Sequence, residues 1–290
     1  MSVDVDSMTI SPTRQSVVKT NKSGLAAYTK KRRLSLLRLG VQLAFVAFIS
    51  YVSIRHMVIG GGPTGSPSLH AYCPFGGLET LYKTVSTGAF VKKLRPSNLA
   101  LFGSFVMLGI FAGRGFCGWI CPFGSVTEWL GALGRKAFPN RIVVPAGLDR
   151  VLRSVKYIIL ALVLAGTYYT GRMVFADYDP YPALFHFGVW AEISSAAIII
   201  LAITLVASIF IDRAWCRYAC PLGAIGAVLN KMSFLKVKRD VSACKSCRSC
   251  SDTNCPMGLQ VSQMEQTNAE CIRCLRCVDG CKPESVKVAS

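Results

Sequence analysis

Cys244-Lys-Ser-Cys247-Arg-Ser-Cys250-Ser-Asp-Thr-Asn-Cys255-Pro256 and Cys271-Ile-Arg-Cys274-Leu-Arg-Cys277-Val-Asp-Gly-Cys281 lie within 40 residues of each other. Each holds three thiols spaced by two residues, a run whose backbone curls around an iron–sulfur cubane and leaves the fourth ligand to come from elsewhere. Exchanging the fourth cysteine between runs gives one [4Fe–4S] site from Cys244, Cys247, Cys250 and Cys281 and another from Cys271, Cys274, Cys277 and Cys255. A zinc module prefers paired Cys-x₂-Cys sites with four ligands each, a poor match for interlocked triplets. Two departures from the regular pattern stand out: four residues separate Cys250 from Cys255, and Lys282 comes between Cys281 and Pro283. Neither removes a ligand.

Upstream, the character of the chain changes. Of 290 residues, 52% are apolar and 17% charged, with a net charge of +18. That balance excludes an ordinary soluble enzyme and a disordered chain, and points to membrane spans. Four apolar runs cover about 34–54, 99–112, 155–170 and 191–211. The first and fourth reach the roughly 20 residues a bilayer needs; the other two are shorter and are expected to continue into their flanks. Residues 1–33 read as a disordered basic arm, residues 34–233 as a membrane domain of about four helices, and residues 234–290 as a small two-cluster domain. Thirteen cysteines in a membrane-rich chain suit metal ligation better than a disulfide framework.

The membrane part is an internal repeat. Arg114-Gly-Phe-Cys117-Gly-Trp-Ile-Cys121-Pro-Phe-Gly124 matches Arg213-Ala-Trp-Cys216-Arg-Tyr-Ala-Cys220-Pro-Leu-Gly223, each after an apolar run. A helix hairpin used twice in parallel puts both motifs on one membrane face. The basic arm holds seven Lys/Arg, the 113–153 loop six and residues 212–290 twelve, against five and one in the remaining loops. The positive-inside rule therefore places both termini and both motifs in the cytoplasm, in a cell inner membrane. Cysteines at i and i+4 share a helix face, and the proline that follows ends or kinks the helix. Cys117, Cys121, Cys216 and Cys220 could thus converge on a third redox centre. Redox-active dithiols and buried small hydrophobes are the other readings.

With the tail run, the doubled Cys-x₃-Cys-Pro motif and the four runs, residues 35–290 resemble the NapH-type membrane ferredoxins, a superfamily that includes MauN and the membrane half of NosR. The resemblance implies an all-α membrane protein with a cytoplasmic 2×[4Fe–4S] ferredoxin-like domain. It also implies a quinol dehydrogenase or electron-transfer subunit working between quinone and a redox partner subunit or soluble carrier. A maturation reductase for another metalloenzyme and a membrane redox sensor are the alternatives; no output domain is legible for the latter. Lipid and quinone or quinol are the expected small partners. Nucleic acid is not expected, since a basic excess in such a chain follows from topology.

Quinol oxidation needs a proton acceptor near neutral pH, the range of histidine. His70-Ala-Tyr-Cys73-Pro-Phe-Gly-Gly-Leu-Glu79, in an expected outer loop, supplies His70 and Cys73 as candidates and echoes the Cys-Pro-Phe-Gly of 121–124. His186 is the third candidate. His56 and Glu192 read as interface residues, and Tyr51, Tyr168, Tyr169 and Trp190 as an aromatic belt. Arg114 and Arg213 stand three residues before a repeat cysteine, where they could offset the charge of a thiolate-bound cluster. No Walker loop, dinucleotide fingerprint, hydrolase triad or Cys-x₂-Cys-His haem motif is present.

Overall fold

The computed structural model describes residues 33–60, 69–87, 96–138, 144–170, 173–186, 193–245, 247, 250, 255–264, 267–281 and 285–289. The basic arm up to residue 32, Trp190 and Glu192 lie outside them, and of His70 the backbone alone is described.

Apolar sequence becomes helix in each of the four runs. Helices α1 (Arg33–Ile59) and α6 (Ala146–Thr170) contain apolar stretches of 26 and 24 residues, long enough to cross a bilayer. The third run is thus longer than its hydropathy implies, because α6 starts nine residues before Val155 and carries a polar face there. Between them come α2 (Pro74–Thr87), α3 (Pro96–Ala112), α4 (Gly115–Trp119) and α5 (Pro122–Ala137). The fourth run gives α8 (Ser195–Phe210), after the short α7 (Pro180–Phe185). At 16 residues α8 rises about 24 Å and falls short of the expected span. Its start is set by Ser194, whose side chain accepts the Ala196 N–H. Outward-facing apolar side chains run along these helices; Leu37, Val58, Leu162, Ile203 and Tyr169 are each more than half exposed. A continuous apolar surface of that kind belongs against lipid. Tyr51, Tyr168 and Tyr169, assigned to the aromatic belt, are all exposed.

The repeats interlock. Helices α9 (Ala214–Tyr218) and α10 (Pro221–Met232) correspond to α4 and α5. Helix α5 packs on α8, from the second repeat, and α10 packs on α3, from the first. The two segments expected in outer loops pack on the bundle: Leu69 and Phe185 cluster with Ile49, midway along α1.

After α10 the chain leaves the bundle through Phe234 and Leu235, whose N–H groups donate to Ile110 O and Phe111 O at 3.1 Å. The tail adds what an all-α reading misses, an antiparallel ribbon of β1 (Lys236–Arg239) and β2 (Val286–Ala289), with Val237 opposite Val288. Helix α11 (Arg276–Gly280) lies just before β2. The tail also has a small core, formed by Met257, Leu259, Val261, Ile272 and Val286 around cysteines.

Candidate iron–sulfur sites and the repeat junction

In the tail, Cys255, Cys271, Cys274 and Cys277 line one cavity of about 550 Å³, walled otherwise by apolar side chains such as Met257, Leu259 and Ile272. The chain curls round it because Arg273 and Leu275, on either side of Cys274, adopt left-handed backbone with φ of 50° and 57°. That conformation costs about 1–2 kcal/mol per residue and persists only where the surroundings hold it. Sulfur atoms accept N–H groups here too: Leu259 N lies 3.4 Å from Cys255 Sγ. Four thiols round the wall of a cavity are a donor set of the kind that holds an iron–sulfur cage. Of the other expected set, Cys250 and Cys281 are buried in the same core as Cys277, with Cys281 Sγ 3.2 Å from Ser285 Oγ. Cys244 is half-buried and Cys247 exposed.

The repeat cysteines do not share a helix face. Cys117 lies within α4, whereas Cys121 is the extended N-cap residue of α5, with φ −61° and ψ 113°. Cys216 and Cys220 repeat this arrangement in α9 and before α10. Each pair straddles a helix break, because the proline at the first position of the next helix has no N–H to continue the ladder. Cys121, Cys216 and Cys220 line a second cleft of about 580 Å³. Cys73, expected in an outer loop, lines it as well, as does Asp179, with Cys73 Sγ 3.9 Å from Asp179 Oδ2. They reach it because the segments around Leu69 and Phe185 dip into the bundle. Cys117 is buried in the same core as Ile272 and Cys277, and it is also an electrostatic neighbour of Cys121, Cys216 and Cys220. His186 ends α7, whose Tyr181 lines the cleft.

Arginines staple the two repeats. Arg114 Nη2 donates to Cys216 O at 3.2 Å, and Arg213 Nη1 donates to Cys117 O at 2.5 Å. Each therefore serves the other repeat. Gly223 and Gly124 leave the room; a Cβ on them would lie 2.9 and 2.8 Å from those same guanidinium nitrogens. Both arginines are fully buried, so their charges need partners. Glu270, from the tail, pairs with Arg114 at 2.6 Å and with Lys156. Glu128 pairs with Arg213 at 2.6 Å, Arg38 at 2.5 Å and Arg276 at 2.8 Å. Burial alone would raise the Glu128 carboxyl, but Arg213, Arg38 and Arg276 outweigh it and hold the pKa at about 2. Glu270 is likewise lowered against its burial, by Arg114 and Lys156.

The tail docks on this junction. Trp119 Nε1 donates to Arg273 O at 2.9 Å, and Asn230 Nδ2 donates to Asn268 O, Ala269 O and Cys271 O at 3.0–3.1 Å. Gly118 admits the contact, since a Cβ there would lie 2.2 Å from Ile272 O. Glu128, Glu270, Asn230 and Asp179 were not singled out by sequence reading. For the two glutamates the available signal was a carboxylate close in sequence to a cysteine motif in a chain with few acids.

A family model described as a 4Fe-4S binding domain matches residues 94–141 and 195–242, the two repeats with their Cys-x₃-Cys-Pro motifs. The putative electron transport protein YccM of Escherichia coli is 29% identical over 268 residues, 88% of this chain and 73% of that protein. An uncharacterized protein of Methanocaldococcus jannaschii is 31% identical over 74% of this chain and 84% of its own length. The ferredoxin-type protein NapH of Escherichia coli is 26% identical over 65% and 67%. The chain belongs to the NapH-type ferredoxin superfamily. No solved structure matches this NapH-type protein. As a superfamily member it is a ferredoxin-type 4Fe–4S electron-transfer protein. The matched segments end at residue 242, so they cover the repeat thiols and not the tail cysteines.

Proposed function

We propose that this NapH-type protein carries electrons between the membrane quinone pool and a redox partner, through two [4Fe–4S] clusters in the tail and a third redox centre where the repeat cysteines meet. One observation carries the reading. The tail cavity with its four thiols rests on the repeat junction, and Cys117 belongs to the same packed core as Cys250, Cys277 and Cys281. Electron carriers must stand close together to exchange electrons, and this packing removes solvent and slack from between them.

Bound iron–sulfur groups would supply the one-electron acceptors. The protein does the rest. Cys255, Cys271, Cys274 and Cys277 would hold one cluster, and Cys244, Cys247, Cys250 and Cys281 the other. Arg114 and Arg213, fully buried beside the repeat cysteines, offset thiolate charge and so favour the reduced state. Quinol gives up two protons with its two electrons. His70 and His186 are the proposed proton acceptors, and Glu79 and Asp179 are buried carboxylates that could take protons onward. In this reading four helices cross the membrane, α3 and α8 with help from their flanks, and both termini are cytoplasmic.

The test is anaerobic mixing of purified protein with a short-chain quinol or quinone while the visible absorption of the clusters is followed. The expected result is reduction by quinol, or reoxidation by quinone, slowed at least about tenfold in His70→Ala/His186→Ala. Full cluster content with no response to either reagent overturns the quinone assignment.

A further inference from the structure

Arg114 and Arg213 are buried with carboxylates beside them; Arg273 is buried without one. Its side chain belongs to a residue only 6% exposed. Among the described residues no carboxylate pairs with it, and the group that acts on its charge is the sulfur of Cys271. The guanidinium reaches neutral atoms instead. Nε and Nη2 donate to Asn230 Oδ1 at 3.2 and 2.9 Å, and Nη2 also donates to Ser233 Oγ. Nη1 is buried and donates to none of the described residues. A charge taken out of water without a counter-ion is strongly unfavourable, so this cation calls for an anion beside it.

The tail cavity lies there. Arg273 lines it together with Cys255, Cys271, Cys274 and Cys277. These four thiols form one group, each an electrostatic neighbour of the other three. A thiolate-bound cubane carries net negative charge in both redox states, and one electron more when reduced. Nearby charge and donors to its sulfurs are what tune its potential.

The bundle holds the cation in place. Asn230 is in α10 and Ser233 directly follows that helix. Trp119 of α4 anchors Arg273 O at 2.9 Å. Gly113, left-handed with φ 56°, leaves the space: a Cβ there would lie 2.8 Å from Arg273 Nε and closer still to Asn230 Oδ1. Arg273 is itself left-handed, with φ 50°. Glycine would make that turn without strain, so the backbone is not what calls for an arginine.

We infer that Arg273 sets the potential of the cluster held by Cys255, Cys271, Cys274 and Cys277: the bundle fixes an uncompensated positive charge beside it, which stabilises the reduced state. The inference rests on the tail clusters proposed above. Arg114 and Arg213 contribute less charge than Arg273 because Glu270 and Glu128 offset them. The loop alone can hold the cage, whereas its potential depends on how the tail sits on α10.

The test is an EPR-monitored redox titration of the full-length protein in detergent, with iron content, for wild type, Arg273→Gln and Arg273→Lys. In Arg273→Gln the reduction of one tail cluster is expected to become at least about tenfold less favourable, a fall of about 59 mV for one electron, with the other midpoints unmoved. Arg273→Lys keeps the charge and is expected to keep most of the wild-type potential. The signal that moves should be the one that Cys274→Ser alters or abolishes; movement of a different signal counts against the inference. Full iron in Arg273→Gln with every midpoint unmoved or raised overturns it, as does a fall of equal size in Arg273→Lys. Should Arg273→Gln lose the cluster, a loaded Arg273→Lys at the wild-type potential supports the role of charge. Loss from both variants makes Arg273 a folding contact and overturns the inference. Wild type without tail iron removes the clusters themselves, and with them the reading on which it rests.

Discussion

Two sites, each with four cysteines on its wall, are built in opposite ways. The tail cavity takes three of its cysteines from one seven-residue stretch, Cys271–Cys277, curled by two left-handed residues. The bundle cleft takes Cys73, Cys121 and the pair Cys216 and Cys220 from three segments far apart in the chain. A local site needs little beyond its own loop; a dispersed site exists only when the whole bundle has folded. Cofactor loading should therefore be independent in the tail and all-or-none in the bundle.

The largest expected effect tests that independence. Cys274→Ser should remove about four irons from the tail and leave the bundle centre and its EPR signal in place. Concerted loss from both places would show that the cavities are not separate units. A smaller effect probes the seam between them. Glu270→Gln would leave Arg114 and Lys156 buried with a weakened partner, at a cost of about 3–5 kcal/mol. Denaturant unfolding in detergent measures it. Adding Lys156→Met should return part of the loss, because the two substitutions share one network. The smallest effect concerns Glu128. Its carboxyl is held at about 2, against an ordinary value of 4.5. A depressed pKa gives stability that is complete above the unfolded value and is lost only as pH falls toward the folded one. The difference in melting temperature between wild type and Glu128→Gln should thus stay constant from pH 8 to pH 5. A difference that shrinks within that range would place the carboxyl in a different state from the one described.

Sequence spacing made the tail cysteines legible, since ligands two residues apart must face a common centre. The repeat was legible for a similar reason: Arg, Cys, Cys, Pro and Gly return at fixed offsets. What could not be read was how the copies meet. The i, i+4 rule assumed a continuous helix, but Pro122 and Pro221 each begin a new one, so Cys121 and Cys220 become caps. Hydropathy located the apolar runs, and that the third continues into its flank was expected, but it did not fix where the helices end. Ser194 shortens one, and the polar face that holds Lys156 hides the first turns of another. The ribbon of four-residue strands lay below what periodicity can detect. Cys73 was noticed as an echo of the repeat, but its place on the cleft wall depends on the chain around Leu69 packing against Ile49, which no local pattern reveals.

The crossed arginines have a consequence for ancestry and engineering alike. Arg114 is satisfied by a carbonyl 102 residues away, and Arg213 by one 96 residues away in the other direction. A half-length chain, cut between α6 and α8, would carry a buried guanidinium reaching for a carbonyl it does not contain. A second copy would supply that carbonyl and receive the reciprocal arm. The geometry at the junction is thus that of a homodimer written into a single polypeptide, and a split version is expected to work only as a pair.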